Sequence, residues 1–317
     1  AAVGGLALVL SRSGGWQGQG PAAASVDAPR LTGGPHRTIL IAIGLSGFTA
    51  LGSEVVWTRL MALNLGATTY TFSIILAVFL AMLGVGSAAG SYVAGHTKRA
   101  RTIFGLCQAG TVLGVAWTAH VIAAQLPYWP VNPSIASDPT FVFQLDLARS
   151  IWTLAPAPLF WGASFPLAVA AASERGQDPA TLVGRVYAAN TVGAILGALI
   201  FSVVVVSWLG TQQAQKVLIA VGALSSALLL LPERLRNTEP GVGFSRSTAR
   251  PLLAASLGAS VVVVLLLGVA PIPPVLVAYG RYAPTYDPPE TLYVGEGRNS
   301  SVAVTEIADG SRNLHVG

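Results

Sequence analysis

The stretch from Gly47 to Ser91, GFTALGSEVVWTRLMALNLGATTYTFSIILAVFLAMLGVGSAAGS, decides the fold, because only Glu54 and Arg59 carry a charge in it. A run of about 20 mostly apolar residues can cross the hydrocarbon core of a bilayer as a helix. The two apolar runs of this region, 38–62 and 66–95, are long enough, and they lack the period-2 alternation of membrane strands. The stretch therefore predicts two transmembrane helices.

The same test predicts about seven transmembrane helices in the whole chain. Hydrophobic residues make up 53% of the chain and charged residues only 10%, whereas a soluble domain carries roughly 25% charged residues. We therefore expect an all-α, multi-pass bundle in the cell (inner) membrane, with the lipid bilayer as its main partner and a homo-oligomer left open. The five further apolar segments lie near 103–126, 150–173, 185–209, 213–232 and 251–270.

The basic residues predict the orientation of the bundle. The formal net charge is +5, but Lys and Arg lie mainly between the apolar segments, which excludes nucleic acid as a partner. Short cytoplasmic loops are enriched in Lys and Arg. If each segment crosses once, three basic loops and Arg37 share one side of the membrane, which is then the inside. These loops are His96–Arg101, Glu174–Arg185 and Glu233–Arg250.

The opposite side holds the less basic loops. These are 127–149, with Asp138, Asp146 and Arg149, and the short turn at 210–213. After seven crossings residues 271–317 also lie outside.

The segments outside the apolar runs complete the organisation. Residues 1–37 begin with an apolar run too short to span a bilayer and continue rich in Gly, Pro, Ala and Ser. We interpret them as the end of a missing segment followed by a flexible linker. The single cysteine, Cys107, excludes a disulfide framework. The predicted parts are a transmembrane helical domain at 38–270, a Pro-rich connector at 271–290 and the start of a β domain at 291–317.

Pairs of glycines predict how the helices pack. Gly86 and Gly90, Gly110 and Gly114, and Gly193 and Gly197 each have small-xxx-small spacing. Such pairs let helix backbones approach closely in lipid. We interpret them as packing contacts rather than as the lining of a conduit.

Glu54 is the candidate functional residue within the membrane. A carboxylate in a spanning helix costs about 2.5–3.5 kcal/mol on insertion scales, so it normally has a partner. Arg59 is five residues away and does not face Glu54 squarely on one helix, so Arg185 and Asn190 are candidate partners from another segment. Two interpretations remain open: a structural ion pair near the interface, with Trp57 as an aromatic anchor, or a substrate or proton site.

Other polar residues and prolines carry weaker signals. No second His, Cys or carboxylate lies at metal-binding spacing from His120, so no metal site is predicted. Pro156, Pro158 and Pro166 predict a kinked or broken helix.

The end of the chain predicts a soluble hairpin. Residues 299–307 alternate, Asp309-Gly310 is a two-residue turn signal, and Arg312–Val316 forms the return strand. Two strands alone are marginally stable in water. The hairpin therefore belongs to a larger sheet.

The Gly47–Ser91 stretch, GASFPLAVAAA, GRVYAANTVGAILGALI and the hairpin EGRNSSVAVTE–turn–RNLHV together resemble bacterial fused spermidine synthase-like proteins. The resemblance covers roughly residues 40–317. It implies a major-facilitator-like membrane domain, and the loop Gly90–Arg101 resembles the basic loop of that family. It also implies a polyamine aminopropyltransferase-like domain that begins with the hairpin and is truncated here.

The resemblance implies the chemistry as well. Such an enzyme moves an aminopropyl group from decarboxylated S-adenosylmethionine, its co-substrate, onto a polyamine such as putrescine. No catalytic residue of that kind lies in this chain. Ser300 is a substrate-side hairpin candidate, at a position where soluble spermidine synthases usually carry a Gln.

Two alternatives and one conflict remain. The membrane domain could instead be a small-molecule or polyamine transporter-like protein, or a non-catalytic membrane scaffold. Seven crossings place the hairpin outside, whereas an S-adenosylmethionine-type substrate is cytosolic. Either one segment is miscounted near Pro156–Pro166, or the domain uses another substrate.

Overall fold

A computed structural model describes residues 34–129, 138–173, 178–231, 246–285, 290–297, 300–307 and 309–317. The predicted linker up to Gly33, Arg175, the basic residues Arg234 and Arg236, and Asn299 of the hairpin lie outside the described residues. The described chain is mostly helical and ends in a small antiparallel sheet, as the sequence predicted.

Several of the helices are long and apolar. Within the described residues, four helical stretches are long and apolar enough to cross a membrane: His36–Leu65, Thr69–His96, Ala100–Tyr128 and Pro179–Leu230. A fifth candidate is the pair Pro139–Leu154 and Pro156–Ala172, which is bent by 56°. The helices are α1 (Gly34–Leu65), α2 (Thr69–His96), α3 (Ala100–Ala124), α4 (Pro139–Leu154), α5 (Pro156–Ala172), α6 (Pro179–Ile200), α7 (Val206–Leu230), α8 (Arg246–Gly268) and α9 (Pro274–Tyr279).

Capping residues mark the N-termini of α4 and α6. Asp138 and Asp178 each accept hydrogen bonds from backbone N–H groups of the first turn, and a proline follows each of them at the first helical position. The hydrogen bonds from Thr181 lower the pKa of Asp178 below its usual value. Gly66, with φ 98°, turns the chain between α1 and α2.

The glycine pairs pack as predicted. A Cβ atom on Gly193 or Gly197 would collide with the backbone of Gly44 or Phe48, so α6 lies directly against α1 and runs in the same direction. Gly86 and Gly90 bring α2 against the α5 backbone in the same way. Because these approaches leave no room for a side chain, the close-packing interpretation is confirmed.

The chain reverses at Gly210, where the sequence predicts a short turn. Gly210 has φ 77° and ψ 171°, values outside the helical region, and it divides the stretch Pro179–Leu230 in two. Beyond it, the Ser225 hydroxyl donates to the Ala42 carbonyl oxygen at 3.1 Å. Gly193, before Gly210, packs on Gly44, which is two residues from Ala42 in α1. The segments before and after Gly210 therefore contact the same part of α1, which is possible only if the chain reverses between them.

A break separates α4 from α5 at the predicted prolines. Ala155 and Pro156 lie at the 56° bend, whereas Pro166 lies inside α5. Asp146 and Arg149, expected in an outer loop, instead belong to α4, which begins at Pro139. The predicted segment 150–173 therefore starts too late, because the polar residues that precede it are helical and buried.

The sheet has three strands rather than the two predicted. Strand β1 (Glu290–Glu296) pairs antiparallel with β2 (Ser301–Glu306), which pairs antiparallel with β3 (Arg312–Val316). Ile307 faces Ser311 across the hairpin, so the connection has three residues, and Gly310 takes φ 82°. The predicted two-residue turn is therefore wrong by one residue, although the glycine has the expected role.

Candidate functional site

The sheet lies at the end of the bundle opposite to the basic loop His96–Arg101. Helix α1 runs from Gly34 at the first end of the bundle to Leu65 at the second end. Helix α2 runs back, so His96 lies at the first end. The contacts of the sheet are made at the second end, where Arg59 of α1 meets Ser301 and Thr211 of α7 meets Glu296. The enrichment of basic residues in cytoplasmic loops predicts that this second end faces outward.

A cleft of about 670 Å³ separates the sheet from the helix ends, and we call it the junction cleft. Its walls come from α1, from the π-helical turn Phe201–Val205 before α7, from the segment around α9, and from β2 and β3. The lining residues are Val55, Thr58, Arg59, Ala62, Leu63, Gly66, Ala67, Ser202, Val206, Val277, Ala278, Tyr279, Gly280, Arg281, Tyr282, Ser300, Ser301, Val316 and Gly317.

Two of the sequence-predicted candidates, Arg59 and Ser300, meet in this cleft. The Arg59 guanidinium donates from Nη2 to Ser301 Oγ at 3.2 Å. It also attracts the Glu296 carboxylate of β1 electrostatically. The structure thus brings Arg59 next to Ser301, the neighbour of the predicted Ser300, although α1 and β2 are far apart in sequence.

Glu296 ties the sheet to the reversal at Gly210. The Thr211 backbone N–H donates to Glu296 Oε2 at 2.6 Å, and the Thr211 hydroxyl donates to Oε1 at 2.9 Å. Helical geometry resumes at Thr211, so the carboxylate of strand β1 caps the start of this helical segment. A carboxylate is favourable there because helix N-termini carry unpaired N–H groups and a partial positive charge.

A second charged contact joins the connector to the broken helix. The Arg281 guanidinium donates from Nη2 to Asp146 Oδ1 at 3.4 Å, and Asp146 is fully buried. Arg149 is 3% exposed, donates to the Trp129 carbonyl oxygen at 3.1 Å and lies over the Trp129 ring. Buried charges persist only when paired. Sequence reasoning missed this cluster, and the i, i+3 spacing of Asp146 and Arg149 was the signal for it.

Glu54 lies apart from the cleft lining. It is partly buried and makes no hydrogen bond or ion pair with any residue that the structure describes. Asn190, one of its candidate partners, packs against Gly47, two helical turns earlier in α1. Arg185 lies still nearer the start of α6. The structure therefore places neither residue beside Glu54.

The core of the bundle contains a further polar group. Gln108 donates from Nε2 to the hydroxyls of Ser46 and Ser164 at 3.1 and 2.8 Å. Trp161 donates to the Thr49 hydroxyl at 3.1 Å. Among the described residues, no group of three or more His, Cys, Asp or Glu could hold a metal ion.

No protein-family model, curated protein or solved structure matches the chain. The class of protein is therefore inferred from the structure alone. The four apolar helical stretches of spanning length in the described part of the chain indicate a helical membrane protein, and it carries a small antiparallel sheet at one end of the bundle.

Proposed function

We propose that the chain is the membrane part of a spermidine synthase-like, aminopropyltransferase-like protein of the inner membrane. In this proposal the helices anchor the protein and hold the first strands of its β domain in a fixed position. The observation that carries the proposal is the pair of polar contacts, Arg59 to Ser301 and Thr211 to Glu296, which fix the sheet on the helix ends. A merely tethered domain would not need such contacts.

Seven crossings form part of this proposal. The four long stretches provide five crossings once the reversal at Gly210 is counted, because it makes two antiparallel helices of one stretch. The bent pair α4–α5 adds a sixth. The shorter apolar helix Ala255–Gly268 adds a seventh, and its end is held near α7 by the hydrogen bond from Gln212 to Val269 O at 2.9 Å.

The proposed reaction follows from the resemblance. An acceptor amine attacks the aminopropyl carbon of decarboxylated S-adenosylmethionine, a C–N bond forms as the C–S bond breaks, and methylthioadenosine leaves. The amine loses a proton in the step. Ser300 lines the junction cleft and is the residue of this chain proposed to face a substrate.

Methylthioadenosine release by the full-length protein, assayed with several amines, tests this reaction. We expect release that depends on both the amine and decarboxylated S-adenosylmethionine. Purified protein that binds neither compound and releases no methylthioadenosine would contradict the transferase. Because decarboxylated S-adenosylmethionine is cytosolic, robust turnover in intact cells would instead contradict an outward-facing sheet.

A transporter-like membrane domain is a second candidate, and the position of the sheet favours it. The sheet lies at the end opposite to the basic loop, where a cytosolic co-substrate is absent. Buried polar atoms in the bundle, including both amide atoms of Gln215, lack partners among the described residues. Accumulation of labelled spermidine in proteoliposomes tests this candidate, and uptake equal to that of empty vesicles would count against it.

A further inference from the structure

We propose that helix α4 holds an ordered water molecule inside the protein, bound by Asp146, Arg149 and Ser150. This inference does not depend on the proposed transferase activity, because it follows from three buried polar atoms on one helix face and from the charges around them.

The three polar atoms are buried together. Asp146 and Ser150 are fully buried, and Arg149 is 3% exposed. Asp146 Oδ2, Arg149 Nε and Ser150 Oγ each have no hydrogen-bond partner among the residues that the structure describes. Arg149 and Ser150, at positions i+3 and i+4, both neighbour Asp146 on the helix, with Cβ atoms about 5–6 Å apart. One small molecule can therefore lie within hydrogen-bond distance of all three atoms.

The Ser150 hydroxyl is unusual for a buried helical position. A Ser or Thr inside a helix often donates to the carbonyl oxygen four residues before it. Thr153 of the same helix does so, since its hydroxyl donates to the Arg149 carbonyl oxygen at 2.7 Å. Ser150 makes no bond of this kind within the described chain. Buried polar groups nearly always have a protein or water partner, so this hydroxyl indicates a bound molecule.

The donors and acceptors of the three groups fit water. A carboxylate oxygen only accepts, Nε–H of an arginine only donates, and a hydroxyl does both. A water molecule accepts from Arg149 and donates to Asp146 and Ser150. Three hydrogen bonds are typical of a buried water. The Asp146 carboxylate would repel an anion at this position, and the guanidinium of Arg149 would repel a cation.

The junction cleft gives solvent access to one side of the site. Arg281 lines the cleft, and its side chain is 21% exposed. Its Nη2 donates to Asp146 Oδ1 at 3.4 Å, whereas a hydrogen bond between a guanidinium and a carboxylate is usually about 2.7–2.9 Å long. Arg281 thus occupies one carboxylate oxygen, and loosely. The water at the other oxygen completes the hydrogen bonding of the residue that joins the connector to α4.

An experimental density map of the full chain tests the site directly. We expect one isolated peak within hydrogen-bond distance of Asp146 Oδ2, Arg149 Nε and Ser150 Oγ. A map that shows other internal waters but no peak here would overturn the proposal. Crystals soaked in bromide separate water from a halide ion. An anomalous peak at this position would also overturn the proposal, in favour of an anion site.

Ser150→Ala tests the site in solution. The variant removes one hydrogen bond of the water without changing a charge, so we expect a melting temperature lower by about 2–4 °C. Ser73→Ala is the matched control, because Ser73 is exposed on α2 and donates to the Thr69 carbonyl oxygen at 2.8 Å. Its melting temperature should equal that of the wild type. In a dry site the Ser150 hydroxyl would have no partner, so an unchanged or raised melting temperature of Ser150→Ala would overturn the proposal.

Discussion

The Glu296 carboxylate of the sheet accepts two hydrogen bonds from Thr211, one from the backbone N–H at 2.6 Å and one from the hydroxyl at 2.9 Å. Thr211 is the residue at which helical geometry resumes after the reversal at Gly210. A residue of the β strands thus completes a helix of the membrane domain. The sheet and the helical bundle are therefore one structural unit.

Glu296→Gln should loosen the sheet from the helices. The amide keeps one acceptor oxygen but loses the charge that favours a helix N-terminus, so we expect a loss of about 1–2 kcal/mol. Hydrogen exchange of residues 290–317 in detergent should rise, while exchange in α2 stays the same. Glu306→Gln is the control, because its partner Arg312 is exposed. Equal exchange in both variants would show that the Thr211 contact does not hold the sheet.

Gly86→Ala should destabilise the bundle. A Cβ atom at Gly86 would collide with the Leu159 backbone of α5, and overpacking of this kind costs about 1–3 kcal/mol. Thermal unfolding in detergent measures the loss. Gly84→Ala, on the same helix, meets nothing within 4 Å and should be neutral or slightly stabilising. If both substitutions had the same effect, α2 and α5 would not be in close contact.

Arg281→Gln should be strongly destabilising, by about 3–5 kcal/mol, because it leaves the fully buried Asp146 without its ion-pair partner. The double variant with Asp146→Asn should regain only part of the loss, because it also removes the counter-charge of the buried Arg149. Thermal unfolding of the two single variants and the double variant forms a double-mutant cycle. Additive effects would mean that the contact between the connector and α4 does not form.

Glu54→Gln should leave folding yield and oligomeric state unchanged, with stability within about 0.5 kcal/mol of the wild type. The reason is that Glu54 has no hydrogen-bond or ion-pair partner among the described residues. Size-exclusion chromatography and thermal unfolding check this. A large loss of yield would restore the structural ion pair. Normal folding combined with a lost activity would favour the substrate or proton site.

The helices could be predicted from the sequence because lipid demands long apolar runs. The runs, the glycine spacing and the turn near Gly210 all have local causes. The structure has helices at the apolar runs, close backbone contacts at the glycine pairs and non-helical geometry at Gly210. The boundary of α4 could not be predicted, since Asp146 is stabilised by Arg281, which is 135 residues away. Only the tertiary contact makes a charged residue acceptable in a buried helix.

The third strand was missed for a different reason. Strand β1 pairs irregularly with β2, because Leu292 is an extra residue between the paired positions of Thr291 and Tyr293. Such a bulge breaks the period of two on which strand prediction depends. Glu296, the residue that docks the sheet, lies at the end of this strand, and its partner Thr211 is 85 residues away. The junction cleft was therefore visible only in the structure.

The measurement that most directly tests the arrangement is the side from which residue 311 can be labelled. In a Cys107→Ala background, Ser311→Cys and Thr97→Cys place single thiols at the tip of the hairpin and in the basic loop. If the sheet sits on the outer helix ends, an impermeant maleimide added to intact cells should label residue 311 and not residue 97. Labelling of residues 311 and 97 from the same side of the membrane would contradict the docking of the sheet at the end opposite to the basic loop.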